Sequence, residues 1–72
     1  MKFTTLKIVH DLLADYKEAA RSRQLTAAQE AERARREGDI EAQPILEEIA
    51  ALASKQYLEA KDALEDFESQ DW

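Results

Sequence analysis

His10 is the only imidazole in the chain, and any acid–base or nucleophilic chemistry would begin there. A hydrolytic triad needs a serine or cysteine aligned with a histidine and a carboxylate. The chain has no cysteine, and Ser22, Ser54 and Ser69 are scattered outside any nucleophile motif. His10 is therefore expected to flank an apolar stripe, half exposed, one turn from Leu6 and Leu13. A di-metal site in a helical bundle uses Glu-x-x-His, with the glutamate three residues before the histidine. Lys7 occupies that place. The acidic run EDFESQD, residues 65–71, lacks the turn glycine and fixed ligand order of a calcium loop. The single glycine, Gly38, rules out a glycine-rich phosphate loop. No catalytic residue, metal ligand, cofactor or small-molecule substrate is expected.

The other concentration of chemistry is basic. AERARREGDIEAQP, residues 31–44, places Arg33, Arg35 and Arg36 just before the only glycine and the only proline. An anion or nucleic-acid site would need a basic face. Glu30, Glu32 and Glu37 interleave with these arginines, and the whole chain carries a net charge of −6. A local explanation suffices. Cations favour the last turn of a helix and anions the first turn of the next, because each complements the helix dipole. Arg33, Arg35 and Arg36 are thus expected to end one helix, and Asp39 and Glu41 to begin another.

These expectations presuppose long helices. Leu6, Val9, Leu13, Tyr16, Ala20, Gln24, Ala27, Ala31 and Ala34 are spaced by three or four, which keeps them on one helical stripe. No proline or glycine interrupts residues 5–37. The spacing predicts a first helix over about 5–37, roughly 50 Å long. Thr4 is its expected cap, with Phe3 stapled onto Ile8. Leu46, Ile49, Ala53, Gln56, Ala60, Leu64 and Phe67 form a second stripe, flanked by Ile45, Leu52, Tyr57 and Ala63. The second helix is expected to begin between Ile40 and Pro44 and to end near Glu68, with Asp39 as the cap for an early start. Gly38 supplies the left-handed residue that stops the first helix. The alternative is a three-helix bundle broken near 22–26, where Leu25, Thr26 and Gln29 resemble a capping box and Arg23 and Gln24 lie beside the stripe, opposite Gln56.

The fold class expected is thus all-α, a single domain over 1–72 built as an antiparallel two-helix hairpin. Residues 1–37 carry a net +2 and residues 38–72 a net −8, so the two rods attract along their edges. Folding at residues 38 and 39 sets Leu64 against Leu13, Phe67 against the Val9–Leu13 turn, and Leu46 against Ala31. Bulky Ile45, Leu46, Ile49 and Leu52 then face an alanine-lined half of the first helix. The larger hydrophobic side chains, among them Phe3, Tyr16, Phe67 and Trp72, collect at the open end.

Length and composition set the remaining bounds. Seventy-two residues form a small domain whose core is marginal, and with no cysteine no disulfide can staple it. No apolar run approaches the ~20 residues of a membrane span. MKFTTLKIVHDLL is not expected to be a signal peptide, because Lys7, His10 and Asp11 interrupt it. One stripe per helix offsets little of the entropy of ordering such a chain. Ile8, Leu12, Leu25, Ile45, Leu52 and Tyr57 widen the apolar surface beyond what two helices use. A homodimer forming a four-helix bundle, or a different protein partner, would cover it.

The two ends of the chain, TTLKIVHDLL and ALEDFESQDW, resemble a group of short uncharacterised proteins encoded by conjugative elements and prophages of Gram-positive gut bacteria. The resemblance rests on Thr4, Thr5, Leu6, Lys7, His10, Leu12 and Leu13, and on Ala63, Leu64, Phe67 and Trp72. It implies a bacterial cytoplasmic accessory protein and brings no activity or site. REGDIEAQPILEEIAALA is also similar to one tetratricopeptide unit, but a single copy is not an array. The expected function is a non-enzymatic protein–protein interaction module docking through an apolar helix face, with Leu12, Tyr16, Tyr57, Phe67 and Trp72 as the docking residues. The alternative is an acidic regulator or inhibitor of a nucleic-acid-processing protein. Glu47, Glu48, Glu59, Asp62, Glu65, Asp66 and Glu68 would then imitate a phosphate backbone. Neither direct nucleic-acid binding nor a membrane partner is expected.

Overall fold

A computed structural model describes residues 1–71 as two helices packed along their length. Helix α1 spans Phe3–Glu37 and α2 spans Ala42–Ser69. The hairpin measures 54 × 15 × 12 Å between Cα extremes. Helix α1 is continuous through residues 22–26, so the three-helix alternative is excluded. The capping-box residues there sit inside a helix with no glycine or proline to open it.

The turn works as its residues dictate. Gly38 adopts φ 71° and ψ 27°, the left-handed region. Its N–H donates to the Arg35 carbonyl at 3.2 Å, and the Asp39 N–H donates to Ala34 at 3.0 Å. This pair of bonds is the Schellman closure of a helix C-terminus. Asp39 then satisfies the first free amides on the far side of the turn. Its Oδ1 accepts the Ala42 N–H at 3.1 Å, and its carbonyl accepts the Gln43 N–H at 3.0 Å. Pro44 has no N–H to reach the Ile40 carbonyl. Residues 40 and 41 accordingly form a turn, and regular helix begins at Ala42.

The N-terminus differs from expectation. The helix starts at Phe3, with Lys2 as the flanking residue and no side-chain cap. Thr4 therefore lies inside the first turn rather than ahead of it. Phe3 is 81% exposed and Ile8 is also exposed, so no staple closes there. At the other end, Ser69 Oγ donates to the Asp66 carbonyl at 2.9 Å, covering one of the last free acceptors of α2.

The seam follows a strict heptad. Ala20, Ala27 and Ala34 are buried in α1, seven residues apart, with Leu6 and Leu13 continuing the column toward the open end half-buried. In α2 the buried residues are Ala53, Ala60 and Leu64, with Leu46, Ala50, Tyr57 and Phe67 half-buried beside them. A 3.5-residue period keeps one seam facing the partner helix. The expected stripes share that period but cross from one flank of the heptad column to the other, from Tyr16 to Gln24 in α1 and from Ile49 and Gln56 to Leu64 in α2, whereas the structure keeps to the flank of Lys17 and Gln24 and of Ala50, Tyr57 and Leu64. Tyr16, placed in the first stripe by spacing, is exposed while Lys17 is half-buried. Ile49 and Gln56, placed in the second, are exposed while Tyr57 and Ala50 approach the seam.

Candidate docking face

Two broad sides flank the alanine seam, and they differ. The polar side carries the bridges between helices. His10 Nε2 lies 3.0 Å from Glu68 Oε2, Gln24 Nε2 donates to Ser54 Oγ at 3.1 Å, and Arg35 Nη2 donates to Glu47 Oε1 at 3.1 Å. Glu47, Ser54 and Glu68 are separated by multiples of seven residues, so all three bridges emerge on one side of α2. Two of the three keep close to the expected register, while Arg35 reaches five residues beyond it to Glu47 near the turn. His10–Glu68 and Gln24–Ser54 lie one residue beyond it, and Ser54 takes the place expected for Gln56. The opposite charges of the two rods produce one arginine–carboxylate bridge among the described residues, Arg35–Glu47. Other pairs, Lys7–Asp11 at 2.9 Å and Arg33–Glu37 at 3.1 Å, stay within α1.

The electrostatics of this side are those of a solvated surface. The Arg35 guanidinium, then the Gln43 amide, hold the Glu47 carboxyl below the ordinary glutamate range. The Lys7 ammonium holds Asp11 below the aspartate range, and Asp11 raises Lys7 in return. The histidine reading gains neighbours but no nucleophile. His10 sits between Glu68 and Asp11, whose Oδ1 is 3.7 Å from Nδ1, with the Phe67 ring centroid 6.4 Å away. Ser69 is tied to a backbone carbonyl and Ser54 to Gln24, so no hydroxyl is presented to the imidazole by either. Among the described residues no group of three or more histidine, aspartate or glutamate side chains is placed to hold a metal ion. None of the helices is long and apolar enough to cross a membrane, again among the described residues.

The other broad side, the apolar side, groups five large exposed hydrophobic side chains, with charged residues in the same stripes. On α1, Leu12, Tyr16, Ala19, Arg23, Thr26 and Glu30 follow one another at spacings of four and three, which is a single stripe. On α2, Ile45, Ile49, Leu52, Gln56, Glu59, Ala63 and Asp66 do the same. Leu12 is 63% exposed, and Tyr16, Ile45, Ile49 and Leu52 are also exposed. The two stripes border a shared groove of about 600 Å³, walled by Ser22, Arg23, Thr26 and Glu30 from one helix and Leu46, Ile49, Leu52 and Gln56 from the other. Ala27 and Ala53 form its floor. The groove exists because the seam there is alanine, which leaves room above it that a larger pair would fill.

The five residues expected to dock are not gathered in one place. Leu12 and Tyr16 stand on the apolar side. Tyr57 and Phe67 are half-buried at the seam, and Phe67 packs near His10. Trp72 lies outside the described residues. Ile45 and Leu52, expected only to flank the stripe, prove to be among the most prominent groups of the apolar side, with Ile49 between them. Of the remaining flanking residues, Leu25 lies on the polar side, and Ile8 on the outer edge of α1. Strict seven-residue recurrence of alanine was the signal in the sequence that would have separated seam from face. No protein family, curated protein or solved structure matches this chain.

Proposed function

We propose that the chain is a non-enzymatic interaction module of the bacterial cytoplasm that docks through the side bearing Leu12, Tyr16, Ile45, Ile49 and Leu52. One observation carries this reading. The hairpin buries Ala20, Ala27, Ala34, Ala53, Ala60 and Leu64 and leaves Leu12, Tyr16, Ile45, Ile49 and Leu52 outside. Its accessible surface is 5580 Å², whereas a folded monomer of 8.2 kDa exposes about 4,500 Å². Five large hydrophobic side chains exposed together on one side are what a protein interface covers. The sequence likeness to mobile-element proteins supports the bacterial setting and an accessory role.

The acidic-regulator reading finds less support. Glu47 is paired with Arg35 and Glu68 with His10. Glu48 and Asp62 share one side of α2 but with Lys55 between them, and Glu59 and Asp66 share another with Leu52, so no unbroken acidic row forms. A photo-cross-linking residue placed at Leu52, and separately at Asp62, tests the two readings in the native cells. An adduct at Leu52 that persists in about 0.5 M salt, where ionic attraction is screened, is expected. Absence of any adduct at Leu52, or an adduct confined to Asp62 and lost in salt, overturns apolar docking.

A further inference from the structure

We infer that the occupant of the apolar face is a second copy of this chain, laid head to tail across it, a conclusion that rests on the docking reading above. Helix α1 spans Phe3–Glu37, so Ala20 is its midpoint. The bulky pair Leu12 and Tyr16 is centred six residues before Ala20, about 9 Å along the axis. The α1 wall of the groove, Ser22–Glu30, is centred on Thr26, six residues after it. A two-fold axis crossing the face at Ala20 reverses the second copy end for end. It therefore sets Leu12 and Tyr16 of each protomer over the groove of the other, at full overlap of both rods. The contact is made twice by symmetry, as a closed isologous interface requires. The alternative pairing, with both turns at the same end, sets groove against groove and leaves both unfilled.

The area also fits. A face of 54 × 15 Å is about 800 Å², the amount each partner contributes to a standard stable interface. The result is a four-helix bundle whose outer sides carry the His10–Glu68 and Arg35–Glu47 bridges, and whose inner layer is formed by Leu12, Tyr16, Ile45, Ile49 and Leu52.

The purified full chain at tens of micromolar is expected to sediment at twice 8.2 kDa. Tyr16→Glu is expected to weaken the dimer at least tenfold while helicity by circular dichroism stays unchanged, since Tyr16 is outside the seam. The native chain has no cysteine, so single cysteines report orientation. In the head-to-tail dimer, residue 19 lies within about 3 Å of its counterpart along the axis, and residue 12 about 24 Å from its own. A short thiol–thiol cross-linker is expected to join Ala19→Cys protomers and not Leu12→Cys protomers. A fully helical monomer by sedimentation overturns self-docking, while an adduct at Leu52 in cells would leave docking on a different protein standing. A dimer in which Ala19→Cys fails to cross-link, or Leu12→Cys cross-links as well, overturns the head-to-tail arrangement.

Discussion

Ala20 and Ala60 are each 1% exposed, and their methyl groups set how closely the two backbones approach. A larger side chain at either position has nowhere to go without parting the helices. Ala20→Leu is expected to destabilise the fold by ~1–3 kcal/mol in urea denaturation, the usual cost of overpacking. Ala51→Leu, on an exposed position of α2, is expected to stay within about 0.5 kcal/mol. Unequal sensitivity of these two alanines is the signature of the seam, and equal effects would remove it. Glu47 makes the residue-scale case for pH. Its pKa is depressed in the folded chain by Arg35 and Gln43, so its contribution is present above the ordinary glutamate value and is lost as the pH falls through the depressed one. Amide exchange at residues 38–43 is expected to quicken, relative to mid-helix amides, as the pH falls below the ordinary glutamate range. Arg35→Gln is expected to flatten that dependence.

The two helices owe their ends to single residues. Gly38 stops α1 in a conformation that an L side chain adopts at a cost of ~1–2 kcal/mol. No atom lies within 4 Å of the place a Cβ would take, so the penalty there is conformational and not steric. Gly38→Ala is therefore expected to lower stability by about that amount, and Gly38→Asn by less, because asparagine tolerates the left-handed region. Equal losses in thermal melts of the two variants would point to a steric cause instead. Asp39, immediately after, begins the next element through its carboxylate and its carbonyl. Stop and start were both legible in the sequence, since glycine and a capping acid act through local geometry. The N-terminal staple was not, because Phe3 and Ile8 have the right spacing but nothing around them to complete a contact.

At the scale of the whole molecule, the hairpin is a thin plate, 12 Å between Cα extremes in its shortest direction, with a small-residue seam and two unlike sides. Such a shape buries little by itself, and the proposed head-to-tail pairing would give its large side chains a core. The helical class, the single reversal at Gly38 and the approximate register were determined by the sequence alone. Each follows from the absence of breakers in two long periodic segments and from one residue that tolerates positive φ. Which side chains lie inside was decided only by the tertiary structure. Spacings of three and four admit a neighbour on either flank of a heptad column, so a helix considered alone spreads its apolar groups over a wide arc. Two helices in contact share one line of closest approach at 3.5, and that line selected Ala20, Ala27, Ala53 and Ala60 over the larger Tyr16, Ile49 and Leu52. The same selection turned those larger residues outward and so created the face on which the proposed function depends.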